Sequence, residues 1–148
     1  MNQKKPLLPT RRREIVAECE RLSLDYAHYA DARRMDDWAE LFAEDAEMHV
    51  FGRVHAGRAA IRRFAGAGSE KISVHAVSNL RIDVLSADEA EGSAYLTVFT
   101  ADQGEGPGRT PVLAPLLVGI YRDRYRRTVA GWKFARRVFE PLIVSGAS

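Results

Sequence analysis

The hydrophobic residues of this chain recur at helical spacing up to about residue 66 and then alternate from about residue 77 onward. A helix repeats its face about every 3.6 residues and a strand every second residue, so this change separates a helical front part from a sheet-forming rear part. Helices followed by a run of strands are typical of the α+β class. We therefore expect three helices packed on one face of a curved antiparallel sheet, with a pocket between the two layers.

The front part predicts three helices and one strand. A long amphipathic helix is expected from Arg11, with Thr10 as its N-cap. The apolar residues that define it are Ile15, Cys19, Leu22, Tyr26 and Tyr29. A short helix is expected over residues 36–44, capped by Asp36 or Asp37, and another over residues 58–64, after Gly57. Residues 46–51 alternate and predict a strand between these two helices.

The rear part predicts four strands. They cover residues 77–85, 93–101, 113–127 and 132–142. Residues 86–89 together with Gly92 are expected to form the first turn, residues 102–111 a glycine- and proline-rich loop, and Ala130 with Gly131 the last hairpin.

Composition limits what such a chain can do. The 148 residues predict a single domain, with residues 1–9 as a flexible arm. A single cysteine, Cys19, excludes an intrachain disulfide and a cysteine zinc cluster. The arginines are scattered among acids, so we expect no nucleic-acid partner. The absence of a long apolar segment predicts a cytoplasmic protein that does not bind membranes.

Two residues in this framework suggest chemistry, Asp31 and His75. A histidine titrates near neutral pH and needs a partner that fixes its tautomer, and a carboxylate is the usual one. If the fold brings the two side chains together in a dry pocket, the protein has a general base and an orienting acid. The alternative is that Asp31 is an exposed turn residue and His75 a strand-edge histidine bonded to backbone.

Four short signatures share an order and spacing typical of one family. They are Tyr26 with Asp31 and the run 38–46; Gly52, Gly57 and Ile61; His75 with Asn79 and Leu80; and Gly-Trp-Lys-Phe-Ala-Arg-Arg at 131–137. The chain resembles the SnoaL-like family of the nuclear transport factor 2-like superfamily, which includes scytalone dehydratase, bile acid 7α-dehydratase and hexachlorocyclohexane dehydrochlorinase. The resemblance implies a cone-shaped α+β barrel that forms a homodimer or homotrimer.

The resemblance also implies roles for four catalytic residues. His75 would take a proton from carbon, and Asp31 would hold its ring. Tyr26 would donate a hydrogen bond to an oxygen of the substrate, and Arg137 would bind an oxyanion or leaving group and keep Asp31 ionised. Tyr26 could instead be a core tyrosine. Arg137 and its neighbour Arg136 could both be solvated, although strand alternation sends one of them inward.

Six further residues are candidates for substrate-binding walls, with plain core packing as the alternative. They are Trp38, Met48, His49, Val50, Phe99 and Tyr121. His28 and His55 are expected at the surface. No metal-ligand spacing and no phosphate-binding loop is present in the sequence, so we expect neither a metal nor another cofactor.

The sequence therefore predicts a cofactor-independent lyase, a dehydratase that acts on a small hydrophobic oxygenated substrate such as a polyketide or steroid-like compound. An isomerase or polyketide cyclase would begin with the same proton abstraction and stays open as an alternative. A non-catalytic ligand-binding or assembly subunit is the third reading, because a fold alone does not determine function.

Overall fold

The computed structural model of the protein describes residues 6–68, 71–101 and 117–145. Three helices are present there, α1 (Pro9–Asp31), α2 (Met35–Glu40) and α3 (Arg58–Gly66). The strands are β1 (Phe42–Val50), β2 (Arg53–Ala56), β3 (Ile72–Val84), β4 (Glu89–Ala101), β5 (Leu117–Thr128) and β6 (Gly131–Val144). The helical front and the sheet-forming rear confirm the α+β class. The glycine- and proline-rich segment 102–111 lies outside the described residues.

The six strands form one mixed sheet in the order β2-β1-β6-β5-β4-β3. Strands β3 to β6 form the predicted antiparallel meander, but β1 lies parallel to β6. The sheet is therefore not wholly antiparallel, and its end strands β2 and β3 do not pair to close a barrel. The helices pack against this open sheet, and α1 contacts β3 and β6.

Helix α1 is formed by the residues that its periodicity indicated. Ile15, Cys19, Leu22 and Tyr26 are all buried on the face that packs against the sheet. The helix begins at Pro9, and Thr10 is not its cap, since Leu8 holds the N-cap position without a side-chain hydrogen bond. Proline is favoured in the first turn because its missing N–H would have no partner there.

The second helix is shorter than predicted, because Phe42 to Glu44 belong to β1 and not to α2. Apolar residues at 38, 41 and 42 fit either a helix face or a buried strand, and parallel pairing of Phe42 with Phe134 of β6 decides for the strand. Asp36 and Asp37 do not cap α2, and Asp37 instead accepts a hydrogen bond from Arg34 at 2.8 Å.

Strand β2 was not predicted. Phe51, expected to end the strand before it, adopts a φ of 48° and is followed by Gly52 at 75°. These two residues form a tight turn that sends the chain back antiparallel along β1, where Val50 pairs with Arg53. Since β2 has only four residues, its alternation is too short to detect in the sequence.

Gly92 lies inside β4 and not in the turn to which the sequence assigned it. A β-carbon at this position would collide with the Arg81 carbonyl oxygen of β3 and come within 2.8 Å of the Ile82 side chain. The close approach occurs next to an irregularity in β3, where the pairing register shifts between Ser78 and Arg81. Glycine is required here by the neighbouring backbone.

We expect Gly92→Ala to lower the free energy of unfolding by about 1–3 kcal/mol, because a rigid carbonyl must move to admit the methyl group. Gly68→Ala is the matched control, since a β-carbon there would lie at an ordinary 3.4 Å from the Ala65 carbonyl oxygen. Urea unfolding of the two variants measures the difference. Equal stability of both variants would contradict the close packing of β3 against β4.

Candidate active site

The end of α1 brings Asp31 to β3. Asp31 is the last residue of the helix, and the chain turns immediately afterwards through Arg33, whose φ is 56°. The amide of Arg34 donates back to the Tyr29 carbonyl at 2.9 Å, which fixes this turn. Tyr26 and Asp31 are five residues apart, about 140° around a helix, so both can serve one cavity only where the helix ends.

Asp31 and His75 are in direct contact. The His75 Nδ1 lies 2.6 Å from Asp31 Oδ1, and the backbone N–H of His75 donates to both carboxylate oxygens at 3.0 and 3.1 Å. An ionised carboxylate only accepts hydrogen bonds, so this contact places the ring proton on Nδ1 and leaves the Nε2 lone pair free. The side chains are partly buried, with 19% of His75 and 29% of Asp31 exposed.

His75 and Tyr26 line the same cavity, which has a volume of about 570 Å³. Its apolar wall comes mainly from the helices and includes Met35, Trp38 and Phe64. The Tyr26 ring is buried and packs on Trp38 with the ring centroids 4.9 Å apart. The cavity is large enough for a small organic molecule.

Burial raises the pKa of the Tyr26 hydroxyl, although the nearby Arg137 charge acts in the opposite direction. Tyr26 therefore remains a protonated phenol at neutral pH and can donate a hydrogen bond. Its hydroxyl lies 3.3 Å from that of Tyr121, which donates to it from the sheet. Tyr121 was predicted as a cavity wall, but it lies behind Tyr26 and does not line the cavity.

Arg137 is completely buried and pairs with Asp123, not with Asp31 as expected. Its Nε and Nη2 atoms each donate to one Asp123 oxygen at 2.8 Å, and Nη2 also donates to Ser23 at 2.9 Å. Burial lowers the pKa of Arg137, but the Asp123 carboxylate more than compensates and the net pKa is raised. The guanidinium thus stays charged inside the protein.

The Arg137 guanidinium is also enclosed by aromatic rings. Its central carbon lies 4.4 Å from the Tyr26 ring centroid, 3.8 Å from that of Tyr121 and 4.1 Å from that of Phe134. Arg137 does not line the cavity, so the predicted direct contact with substrate is not supported, and Tyr26 lies between its guanidinium and the cavity. The choice of Arg137 as the inward residue is correct, since Arg136 is exposed.

The remaining predicted wall residues lie on different faces of their strands. Met48 is a core residue and Val50 packs at the edge of the core, whereas His49 faces outward and contacts Glu47 at 3.0 Å. Phe99 pairs with exposed Val74 on the outer face, while its neighbour Val98 pairs with His75 on the inner face. Of the six predicted wall residues, Trp38 alone lines this cavity among the described residues.

The two other histidines differ from each other. His28 is exposed, as predicted. His55 is half-buried and stacks on Phe64 with the ring centroids 4.4 Å apart, so its assignment to the surface is wrong. Phe64 belongs to α3, the helix that follows Gly57. Its ring covers His55 because β2, the strand that contains His55, packs against that helix.

Asp123 is the main residue of this site that sequence reasoning missed. The signal was available, because Tyr121, residue 123 and Tyr125 are alternate residues of the predicted strand 113–127 and therefore lie on one face. The Tyr125 hydroxyl donates to Asp123 at 3.0 Å. A buried acid on that face indicates a buried cation on the neighbouring strand.

A second depression of about 630 Å³ lies on the outer face of the sheet. It is lined by charged residues that pair with one another, including Arg122 with Glu140 at 3.0 Å and Arg81 with Asp83 at 3.2 Å. Among the described residues that line it, none is one of the four predicted catalytic residues, although Asp123, the partner of Arg137, is among them. The inner cavity is therefore the candidate active site.

Three further features of the described residues concern metal ligands, the cysteine and membrane spans. Among the described residues, no three histidine, cysteine or acidic side chains are grouped so that they could hold a metal ion. Cys19 is buried, and burial raises the pKa of its thiol to about 12, so it is a core thiol and not a nucleophile. Within the same described segments, no helix is long and apolar enough to cross a membrane.

The described residues thus form an α+β fold with a histidine–carboxylate pair at an inner cavity. The sequence model of the SnoaL-like domain matches residues 11–138. The chain therefore belongs to the SnoaL-like family, which confirms the resemblance seen in its four signatures.

Solved structures share this fold. A scytalone dehydratase-like protein from Novosphingobium aromaticivorans is 23% identical, with a TM-score of 0.80 over 95% of this chain and 93% of that one. A hexachlorocyclohexane dehydrochlorinase from Novosphingobium barchaimii is 20% identical, with a TM-score of 0.78 over 93% of each chain. A nuclear transport factor 2-like protein with a cystatin-like fold from N. aromaticivorans is 25% identical, with a TM-score of 0.71 over 90% and 87%. Comparison with curated protein sequences finds no match.

We expect Asp123→Asn to lower the free energy of unfolding by about 3–5 kcal/mol, because it leaves the buried Arg137 charge without a counter-charge. Asp83→Asn is the matched control, since it removes the same group from the exposed pair with Arg81 and should change stability by less than about 1 kcal/mol. Urea unfolding at neutral pH compares the two. A loss in Asp123→Asn as small as that expected for the control, below about 1 kcal/mol, would show that the buried pair is not needed for stability.

Proposed function

We propose that this protein is a cofactor-independent lyase, a dehydratase that removes a proton from carbon beside a carbonyl group and eliminates water from a small hydrophobic oxygenated substrate such as a polyketide or steroid-like compound. The observation that carries the proposal is the 2.6 Å contact between His75 Nδ1 and Asp31 at the wall of an apolar cavity. The names of two structural relatives, a dehydratase and a dehydrochlorinase, denote eliminations and support the same class.

In the proposed mechanism His75 is the general base. Its free Nε2 lone pair takes the proton from carbon, while Nδ1–H remains bonded to Asp31. The imidazolium that forms is stabilised by the adjacent carboxylate. The electron pair of the broken C–H bond forms an enolate, expels the hydroxyl group from the next carbon, and the proton on Nε2 leaves with that group as water.

Tyr26 is proposed to donate its hydroxyl proton in a hydrogen bond to the carbonyl oxygen. Negative charge develops on that oxygen in the transition state, so a fixed donor contributes more there than in the ground state. The positive charge of Arg137, 4.4 Å from the Tyr26 ring centroid, lies on the side of Tyr26 away from the cavity. It also favours negative charge on the carbonyl oxygen. Arg137 and Asp123 are therefore positioning residues that act through Tyr26.

An isomerisation or a ring closure would use the same first step. The proton would then return to another carbon, or the enolate would attack a second carbonyl group. The geometry of His75, Asp31 and Tyr26 serves each of these outcomes, and the product identifies which one occurs.

We expect His75→Ala and Asp31→Asn each to reduce turnover by about 10²–10⁴-fold, because one removes the base and the other the group that orients it. A panel of aromatic and polycyclic β-hydroxy ketones tests this, with water loss followed by absorbance of the conjugated product. Exchange of the α-hydrogen in D₂O, followed by NMR, detects the first step even where no water is lost.

His28→Ala is the matched control for these variants, since His28 is an exposed histidine on α1 away from the cavity wall. It should retain wild-type turnover and exchange. Wild-type exchange in either His75→Ala or Asp31→Asn would refute the proposed base.

We expect Tyr26→Phe to lower kcat by about 10²–10³-fold with a much smaller change in KM, because the lost hydrogen bond is strongest in the transition state. Tyr121→Phe removes the hydroxyl that donates to Tyr26 from behind and should lower kcat by less than about tenfold, the effect of one neutral hydrogen bond. Steady-state kinetics on the substrate found in the panel separates the two. A larger effect of Tyr121→Phe would place the donor elsewhere.

A further inference from the structure

An arginine without an ion-pair partner among the described residues, Arg53, lines the candidate active site. Among the described residues that line the cavity, those with a permanent charge are Arg33, Arg53 and Lys71, and no carboxylate lines it. All three are exposed, whereas Tyr26 and Trp38 on the inner wall are buried. The cavity therefore has an apolar interior and a cationic rim, which we define as Arg33, Arg53 and Lys71.

The cavity opening differs from the outer face of the sheet, where the arginines are paired with carboxylates. On the outer face Arg81, Arg122 and Arg124 each have a carboxylate within 3.4 Å. Around the inner cavity Arg53 has no ion-pair partner in the part of the chain that the structure describes. It extends from the four-residue edge strand β2, where its guanidinium donors remain available to a ligand.

The carboxylate closest to the reacting groups does not offset this charge. Asp31 lies behind His75, and its two oxygens accept three hydrogen bonds from that residue. The buried acid of the described residues, Asp123, is used by Arg137. The Arg53 guanidinium is therefore the cation at this cavity that can receive an anion, and its planar pair of donors fits a carboxylate well.

We propose that the substrate is an apolar carboxylic acid whose carboxylate is bound by Arg53 of the cationic rim while its hydrophobic body fills the cavity towards His75. This rests on the proposed function only in placing the reacting carbon at His75. The proposal narrows the hydrophobic oxygenated substrate to one that is anionic at neutral pH.

The test uses a pair of probes that differ in charge, 2-naphthoate and its methyl ester. Binding is measured by isothermal titration calorimetry with the full-length protein, and Trp38 fluorescence in a Trp132→Phe variant reports occupation of the cavity. The wild type is expected to bind the acid at least about tenfold more tightly than the ester, and a rise in salt should weaken only the acid.

Arg53→Gln is expected to weaken binding of the acid by about five- to tenfold and leave the ester unchanged, with partial recovery in Arg53→Lys. Arg81→Gln is the matched control, because it removes one positive charge from the outer face and should affect neither probe. Equal affinity for acid and ester, or equal loss in Arg53→Gln and Arg81→Gln, would overturn the proposal.

These measurements need no turnover, so they fail or succeed independently of the proposed reaction. If a His75→Ala variant has no catalytic activity but binds the acid more tightly than the ester, as the wild type is expected to do, the proposed substrate class is supported by itself. If His75→Ala loses catalysis but no variant binds the acid more tightly than the ester, the result would support the proposed lyase. The same result would overturn the proposal that the substrate is an anion.

Discussion

The buried ion pair between Arg137 and Asp123 joins the layers of this protein. Both side chains are completely removed from solvent, which carries a desolvation cost of several kcal/mol per ion. Two hydrogen bonds of 2.8 Å within the pair, one to Ser23 of α1 and one from Tyr125 offset that cost. Because these partners belong to α1, β5 and β6, the pair sets the position of the helix on the sheet.

The position of α1 in turn determines where the helix ends. If the helix shifted along the sheet by one turn, Asp31 would move about 5.4 Å and could no longer reach the His75 side chain. The contact of 2.6 Å between Asp31 and His75 is therefore a consequence of packing that occurs elsewhere, around Ser23 and Tyr26. The catalytic proposal depends on the buried pair even though Arg137 does not touch the cavity.

Much of this arrangement was predictable from the sequence, and the exceptions have physical reasons. Periodicity identified α1, α3 and the meander, and the family signatures brought Asp31 and His75 into one pocket. The failures concern strand phase, since His49 and Phe99 face outward while Met48 and Val98 face inward. Alternation predicts that neighbours point in opposite directions, but which one points inward depends on tertiary packing.

Irregular pairing adds to this uncertainty. The register shifts in β3 between Ser78 and Arg81 and in the β5–β6 pair between Arg124 and Tyr125. Beyond each shift, the residues that strict alternation would assign to the inner face lie on the outer face, and the reverse. The partner of Arg137 was missed for a different reason, because nothing was inferred about Asp123, which lies between Tyr121 and Tyr125 in an alternating strand.

The site separates ionised groups from the surface that a substrate touches. Asp31 lies behind His75, and the Arg137–Asp123 pair lies behind Tyr26, so an imidazole and a phenol line the inner cavity. An apolar substrate body can enter without desolvating a formal charge, which would cost more than burying a hydrogen-bonded neutral group. The charges still act through one intervening side chain, where the low dielectric strengthens them. The permanent charges that line the cavity are then those of the exposed rim, where an anionic end of the substrate remains in contact with water.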